Sequence, residues 1–150
     1  SGYKWMLAGF GNGVLMISDH YHYYVKKNSV LMRNKIFNGH FNILATASLN
    51  FAIQNFEKYG FISLMQKKAI LTEKVKNQLL DYDLIDSWVQ NRKHHSSIFI
   101  LKGKLGLYKC LRNHKIQCVQ RGKGVRISFH YYNTETDLKQ LIKVLKKDFF

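Results

Sequence analysis

Arg126 sits in the run Gly124-Val125-Arg126-Ile127-Ser128-Phe129-His130, where apolar and polar residues alternate. The alternation predicts a strand with Val125, Ile127 and Phe129 on one face and Arg126, Ser128 and His130 on the other. A guanidinium held on a rigid strand is a good grip for a carboxylate, because its planar fork meets both oxygens at once. At the opposite end of the chain Lys4 stands between Tyr3 and Trp5. Alone, a lysine between aromatics reads as a basic side chain snorkelling from the edge of a core. Combined with a distant carboxylate clamp, it becomes a candidate catalytic group.

Local signals predict the elements that must position these two residues. After the arginine strand and an aromatic corner, Thr134 offers an N-cap with Asp137 three residues on, a capping-box spacing. Leu138, Leu141, Ile142 and Leu145 follow at helical spacing. Near the other end, the turn Gly9-Phe10-Gly11-Asn12-Gly13 feeds an apolar run, Val14 to Ile17, that predicts a short buried strand. Glycines alone are weak evidence for phosphate binding, since many turns look like this one. Residues 41–59 predict a helix lined by Ala45, Leu49, Ala52, Ile53 and Phe56, with Gly60 as its stop. A second helix is expected over 62–80, with Ile70, Leu71 and Val75 inward. Residues 81–93 are polar and turn-rich apart from Leu84, Ile85, Trp88 and Val89. Strands are expected at 97–101, 116–119 and 125–129, with a short helix over 105–113. Strands alternating with helices give an α/β or α+β fold, not a bundle.

Composition narrows the function classes. The 150 residues suggest one domain or a piece of a larger one, and 46% hydrophobic content supports a real core. No apolar run is long enough for a membrane span, and no signal peptide is evident. The chain opens on Ser1-Gly2-Tyr3 without an initiator Met, which reads as a fragment. A formal net charge of +15, from 24 Lys and Arg against 9 Asp and Glu, favours polyanions. The basic residues are spread along the chain as pairs, however, so solvated helix faces are the plainer reading than a nucleic-acid groove. Cys110 and Cys118 lack CxxC spacing, and the histidines lack a ligand pattern, so no metal site is expected. Reduced thiols in a cytoplasmic protein are the default.

Taken together, the two ends of the chain resemble a known family. Ser1-Gly2-Tyr3-Lys4-Trp5, followed by Gly9, Gly11, Gly13 and an apolar strand, resembles the cofactor-lysine segment of class V aminotransferases, which are fold-type I enzymes dependent on pyridoxal 5′-phosphate (PLP). Val125-Arg126-Ile127-Ser128 through Tyr132-Asn133-Thr134 and Asp137 resembles the C-terminal signature of the same group, which also holds cysteine desulfurases, isopenicillin-N epimerases and kynureninases. The resemblance spans nearly the whole chain. It implies an α/β architecture, with the end of the PLP-binding large domain over 1–59 and a small α+β domain over 60–150. It implies that Lys4 holds PLP as an internal aldimine, that Ser1 and Tyr3 contact the cofactor phosphate, and that Arg126 binds the substrate α-carboxylate. Gly39 and His40 sit where the family has a Gly-Thr turn reaching the neighbouring subunit's phosphate, with His40 in place of the threonine. Amino-acid and 2-oxo-acid substrates and a homodimeric parent protein are implied as well.

The chemistry suits these residue types. A free lysine amine is mostly protonated at neutral pH and a poor base; held as an imine and then displaced, it stands beside the substrate Cα as general base. PLP supplies the electron sink, and the arginine orients the bond to be broken. Transamination leads, with lyase or epimerase reactions close behind. Sulfur transfer is disfavoured: only Gly122, Lys123, Gly124 and Val125 separate Arg121 from Arg126, so the loop that carries a reactive cysteine in desulfurases is missing. Arg121 itself reads as a second anion contact or a surface arginine. The aspartate and stacking aromatic that the family uses for the cofactor ring precede the lysine, and three residues are too few to hold them. The fragment alone is therefore expected to bind PLP poorly and to be inactive. The alternative from a different class is a basic nucleic-acid-binding module, with Tyr21, Tyr23 and Tyr24 as stacking platforms.

Overall fold

A computed structural model describes residues 2–16, 18, 20–21, 42–103 and 106–149, with side chains through Lys147. The chain divides into two compact units, Ser1–Tyr59 and Gly60–Phe150. The described fold is mixed α and β, with four helices and a small antiparallel sheet.

The first unit is built on helix α1, Ile43–Tyr59. Asn42 caps it: its Oδ1 accepts the Ala45 backbone N–H at 2.9 Å, which satisfies one of the donors a helix start leaves open. Ala45, Ala52 and Phe56 are buried, as their spacing requires. Ile53 is 37% exposed, so it lies at the rim of that stripe. The expected strand over Val14 to Ile17 is not formed. Residues 13–16 carry no regular structure, Met16 is 90% exposed, and Ile17 lies outside the described residues. An apolar run becomes a strand only with a ladder partner to take its backbone groups, and none is present among the described residues of this unit.

The second unit opens with helix α2, Phe61–Asp81. Leu71, Thr72, Val75, Lys76 and Leu79 form its buried stripe. Lys76 enters that stripe by its aliphatic stem while its ammonium reaches Glu73 at 2.7 Å. Ile70, expected inward, is 60% exposed, because the stripe turns away from its position. The helix ends in a Schellman motif: Leu84 N–H donates to the Leu79 carbonyl at 2.8 Å, and Asp83 N–H to that of Leu80 at 2.9 Å. Asp83 takes the left-handed conformation this requires, at φ 49°. Leu84, Ile85 and Val89 are buried across the following turn and a short 3-10 helix, Ser87–Asn91. Trp88 stays outside, with the Arg92 guanidinium 4.2 Å from its ring centroid.

Three strands follow: β1, Ile98–Leu101; β2, Val119–Arg121; and β3, Gly124–Ser128. They form one antiparallel sheet with β3 in the middle. Helix α3, Leu107–Asn113, connects β1 to β2. It too ends in a Schellman motif, with Lys115 at φ 60° and Ile116 N–H on the Leu111 carbonyl at 2.9 Å. That closure is why the strand expected over 116–119 is displaced: Ile116 belongs to the helix stop, and pairing begins only at Val119. Helix α4, Glu135–Phe149, closes the unit. Phe99, Leu101, Val125 and Ile127 on one sheet face join Leu138, Leu141, Ile142 and Leu145 of α4, and buried residues of α2 and α3, in a single core.

Candidate functional site

The residues implicated in chemistry fall in both units. Lys4 and Tyr3 belong to the first and Arg126 to the second; Ser1, Gly39 and His40 lie outside the described residues.

In the first unit the Lys4 backbone is held by a short hydrogen-bonded loop. Ala8 N–H donates to the Gly2 carbonyl at 3.1 Å, and Leu7 N–H to that of Lys4 at 3.4 Å. The glycine turn that follows is pinned to α1. Gly9 N–H donates to Ser48 Oγ at 2.6 Å, and Asn12 Nδ2 donates to the Gly9 carbonyl at 2.6 Å and the Ala45 carbonyl at 3.2 Å. Gly2 is buried, and a Cβ there would stand 2.2 Å from Asn12 Oδ1. Only glycine lets the chain pass that close. Lys4 itself is exposed, its Nζ 5.6 Å from the Tyr3 ring centroid. Tyr3 leans on Phe10, with ring centroids 5.2 Å apart. The amine is thus solvent-facing beside an aromatic, on anchored backbone.

In the second unit Arg126 occupies the middle strand. Its Cα partners are Ile100 on β1 and Val119 on β2. Directly paired residues share a face, so the half-buried arginine stem lies between Ile100 and Val119, which are 47% and 43% exposed. This face is opposite the core. Among the described residues, no hydrogen bond or ion pair engages the Arg126 guanidinium.

Both ends of β3 are fixed. At one end the two-residue turn Gly122-Lys123 joins Arg121 to Gly124, with Gly122 at φ 55° as a tight hairpin asks of its first turn residue. At the other, Phe129 N–H donates to the Ser97 carbonyl at 2.8 Å. His130 stacks on Tyr132 at 4.5 Å, and its backbone N–H donates to Asn133 Oδ1 at 2.7 Å. Burial pushes the Tyr131 hydroxyl's pKa up, helped by neighbouring Tyr132. Thr134 N–H donates to Asp137 Oδ2 at 2.7 Å, which forms one half of the expected capping box, while the Thr134 hydroxyl turns to the same Oδ2 at 3.3 Å instead of taking a helix N–H. A cavity of about 370 Å³ beside this corner is lined by Lys115, Ser128, Tyr132, Asn133 and Asp137; Arg126 stands instead on the open sheet face.

Cys118 is buried immediately before β2 rather than within a strand, and Cys110 is half-buried in α3. Burial raises the Cys118 thiol pKa, partly offset by the Arg112 guanidinium. Among the described residues no cluster of His, Cys, Asp or Glu could hold a metal ion, and no helix is long and apolar enough to cross a membrane. Sequence reasoning missed the apolar flanks of Arg126 and the side on which Arg121 emerges. The signal for the second was present: a two-residue Gly-Lys turn pairs 121 with 124, which puts 121 and 126 on one face. Compared with protein-family models, curated proteins and solved structures, the chain matches none. What the described residues define is a mixed α/β protein.

Proposed function

We propose that this chain is the C-terminal part of a fold-type I PLP-dependent enzyme of the class V aminotransferase group, acting on an amino acid. The observation that carries this reading is the placement of Arg126: an unpaired guanidinium on the middle strand of a small antiparallel sheet, facing away from the core. An arginine so placed, with no partner among the described residues, is available to an external carboxylate.

The cofactor reading rests on Lys4, whose exposed amine precedes a turn that Gly9 and Asn12 hydrogen-bond to α1. Lys4 would hold PLP, with Ser1 and Tyr3 at its phosphate and Gly39 and His40 reaching the phosphate of a neighbouring subunit in a homodimer. When bound, PLP supplies an electron sink for a carbanion at the substrate Cα. Arg126 fixes the α-carboxylate with two parallel hydrogen bonds and so sets which Cα bond faces the reacting groups. The Lys4 amine moves the proton at Cα. Transamination between an amino acid and a 2-oxo acid is the leading reaction, with lyase or epimerase chemistry at the same carbon as the alternative. Borohydride reduction of the full-length protein followed by peptide mapping tests the assignment. The label should be recovered on Lys4, and recovery on a different lysine sinks it.

One observation favours a second reading, a basic nucleic-acid-binding module. Lys139, Lys143 and Lys147 of α4 line a groove of about 550 Å³ with His114 and Thr136. Of the proposed stacking tyrosines, Tyr23 and Tyr24 lie outside the described residues. Binding to single-stranded RNA or DNA that weakens steeply with salt would support this reading, and no binding at low salt removes it.

A further inference from the structure

Arg121 is the last residue of β2 and pairs with Gly124, while Val119 pairs with Arg126. Paired residues share a face of an antiparallel sheet, so Arg121 and Arg126 emerge on the same side as diagonal neighbours, about 7–8 Å apart. Neither guanidinium has a hydrogen bond or ion pair with the described residues. Each fork is therefore open to an anion on this face. The floor between them is apolar. Ile100 lies over Gly124, where its Cγ2 would stand 2.6 Å from any added Cβ, and Val119 flanks the other side of Arg126.

Two forks over an aliphatic floor match a short chain with a carboxylate at each end. We propose that this face selects a short dicarboxylic amino acid or 2-oxo acid, with Arg126 on the α-carboxylate and Arg121 on the distal one. Ile100 and Val119 pack against the methylenes between. The proposal rests on the reading of Arg126 as the α-carboxylate clamp and adds the substrate class to it. Arg121 is here a specificity residue. The α-carboxylate contact depends on Arg126, which sits in the middle of the sheet. Arg121 is exposed at the end of an edge strand, so its substitution leaves the core untouched.

The test is calorimetric titration of the full-length protein with 2-oxoglutarate, 2-oxopentanoate, which replaces the distal carboxylate by methyl, and inorganic phosphate. The unsubstituted protein should prefer 2-oxoglutarate by roughly tenfold or more, the effect of one charge-assisted pair. Arg121→Gln should abolish that preference and leave 2-oxopentanoate binding unchanged. Arg126→Gln should weaken both acids by roughly tenfold or more, with Arg126→Lys intermediate because it keeps the charge and loses the fork. Thermal melts confirm that each variant folds. A preference that survives Arg121→Gln, while Arg126→Gln weakens both acids, overturns the dicarboxylate proposal alone. Undiminished 2-oxopentanoate binding in Arg126→Gln overturns the clamp itself. Phosphate binding as tight as 2-oxoglutarate, and equally sensitive to Arg121→Gln, would mean one oxoanion bridging both arginines and would also overturn the proposal.

Discussion

Gly124 leaves the space that Ile100 fills: a Cβ at 124 would stand 2.6 Å from Ile100 Cγ2 and 2.8 Å from the Leu101 carbonyl oxygen. The side chain can rotate away, but the carbonyl belongs to the β1 ladder and has no freedom to yield. The glycine therefore sets both the closeness of β1 to β3 and the position of Ile100 beside Arg126.

Gly124→Ala should accordingly destabilise the protein by about 1–3 kcal/mol, the range for forcing a methyl into a packed site. Denaturant unfolding measures this directly. Gly106→Ala is the contrast: nothing lies within 4 Å of an added Cβ there, and φ is +102°, so any loss would come from backbone strain alone.

Asp137 should govern part of the acid limb of stability. Its carboxyl is held below its ordinary pKa, first by the Thr134 backbone N–H, with burial opposing and the Asn133 and Thr134 side chains assisting. A carboxyl depressed in the folded state contributes stability above its unfolded pKa and loses it as pH falls through the folded one. Asp137→Asn keeps an acceptor but has no proton to gain, so its stability should decline less steeply on acidification than the parent's. The Glu135 carboxyl is also held below its ordinary pKa, first by its hydrogen bond to Lys74, and is common to both proteins. Asp137→Ala should cost about 1 kcal/mol at neutral pH. Urea unfolding at stepped pH checks both statements.

Lys115 ends α3 in a left-handed conformation, at φ 60°, which costs a side-chain-bearing residue more than glycine. Lys115→Gly should raise stability by about 0.5–1 kcal/mol, the relief of strain exceeding glycine's extra unfolded-state entropy. A lowered melting temperature would show instead that packing of the lysine stem outweighs the backbone strain.

Cys118 should resist alkylation in the native protein. Burial raises its thiol pKa, so little thiolate exists at neutral pH and access is restricted. Iodoacetamide should label it only after unfolding. Labelling of Cys118 in the native protein would overturn this expectation.

Much of the second unit was legible along the chain because its signals are local. The alternation at 125–129 did place Val125, Ile127 and Phe129 inward, and Leu138, Leu141, Ile142 and Leu145 are all buried as their spacing implied. The stops of α2 and α3 were harder to read. Both use the left-handed conformation without glycine, at Asp83 and Lys115, so the usual residue cue is missing. The apolar run at 14–16 shows the opposite failure: a strong local pattern with no ladder partner among the described residues.

By itself, then, the order of residues determined the period of each element, the cap at Asp137 and the outward direction of Arg126 from its strand. Those depend on backbone geometry within a few positions. Only the tertiary structure decided what surrounds that arginine. The register of β3 against β1 and β2 placed Ile100 and Val119 at its sides and Arg121 on its face. Register is set by which side chains the whole core can bury, and a slip of one residue would have turned every one of them the other way.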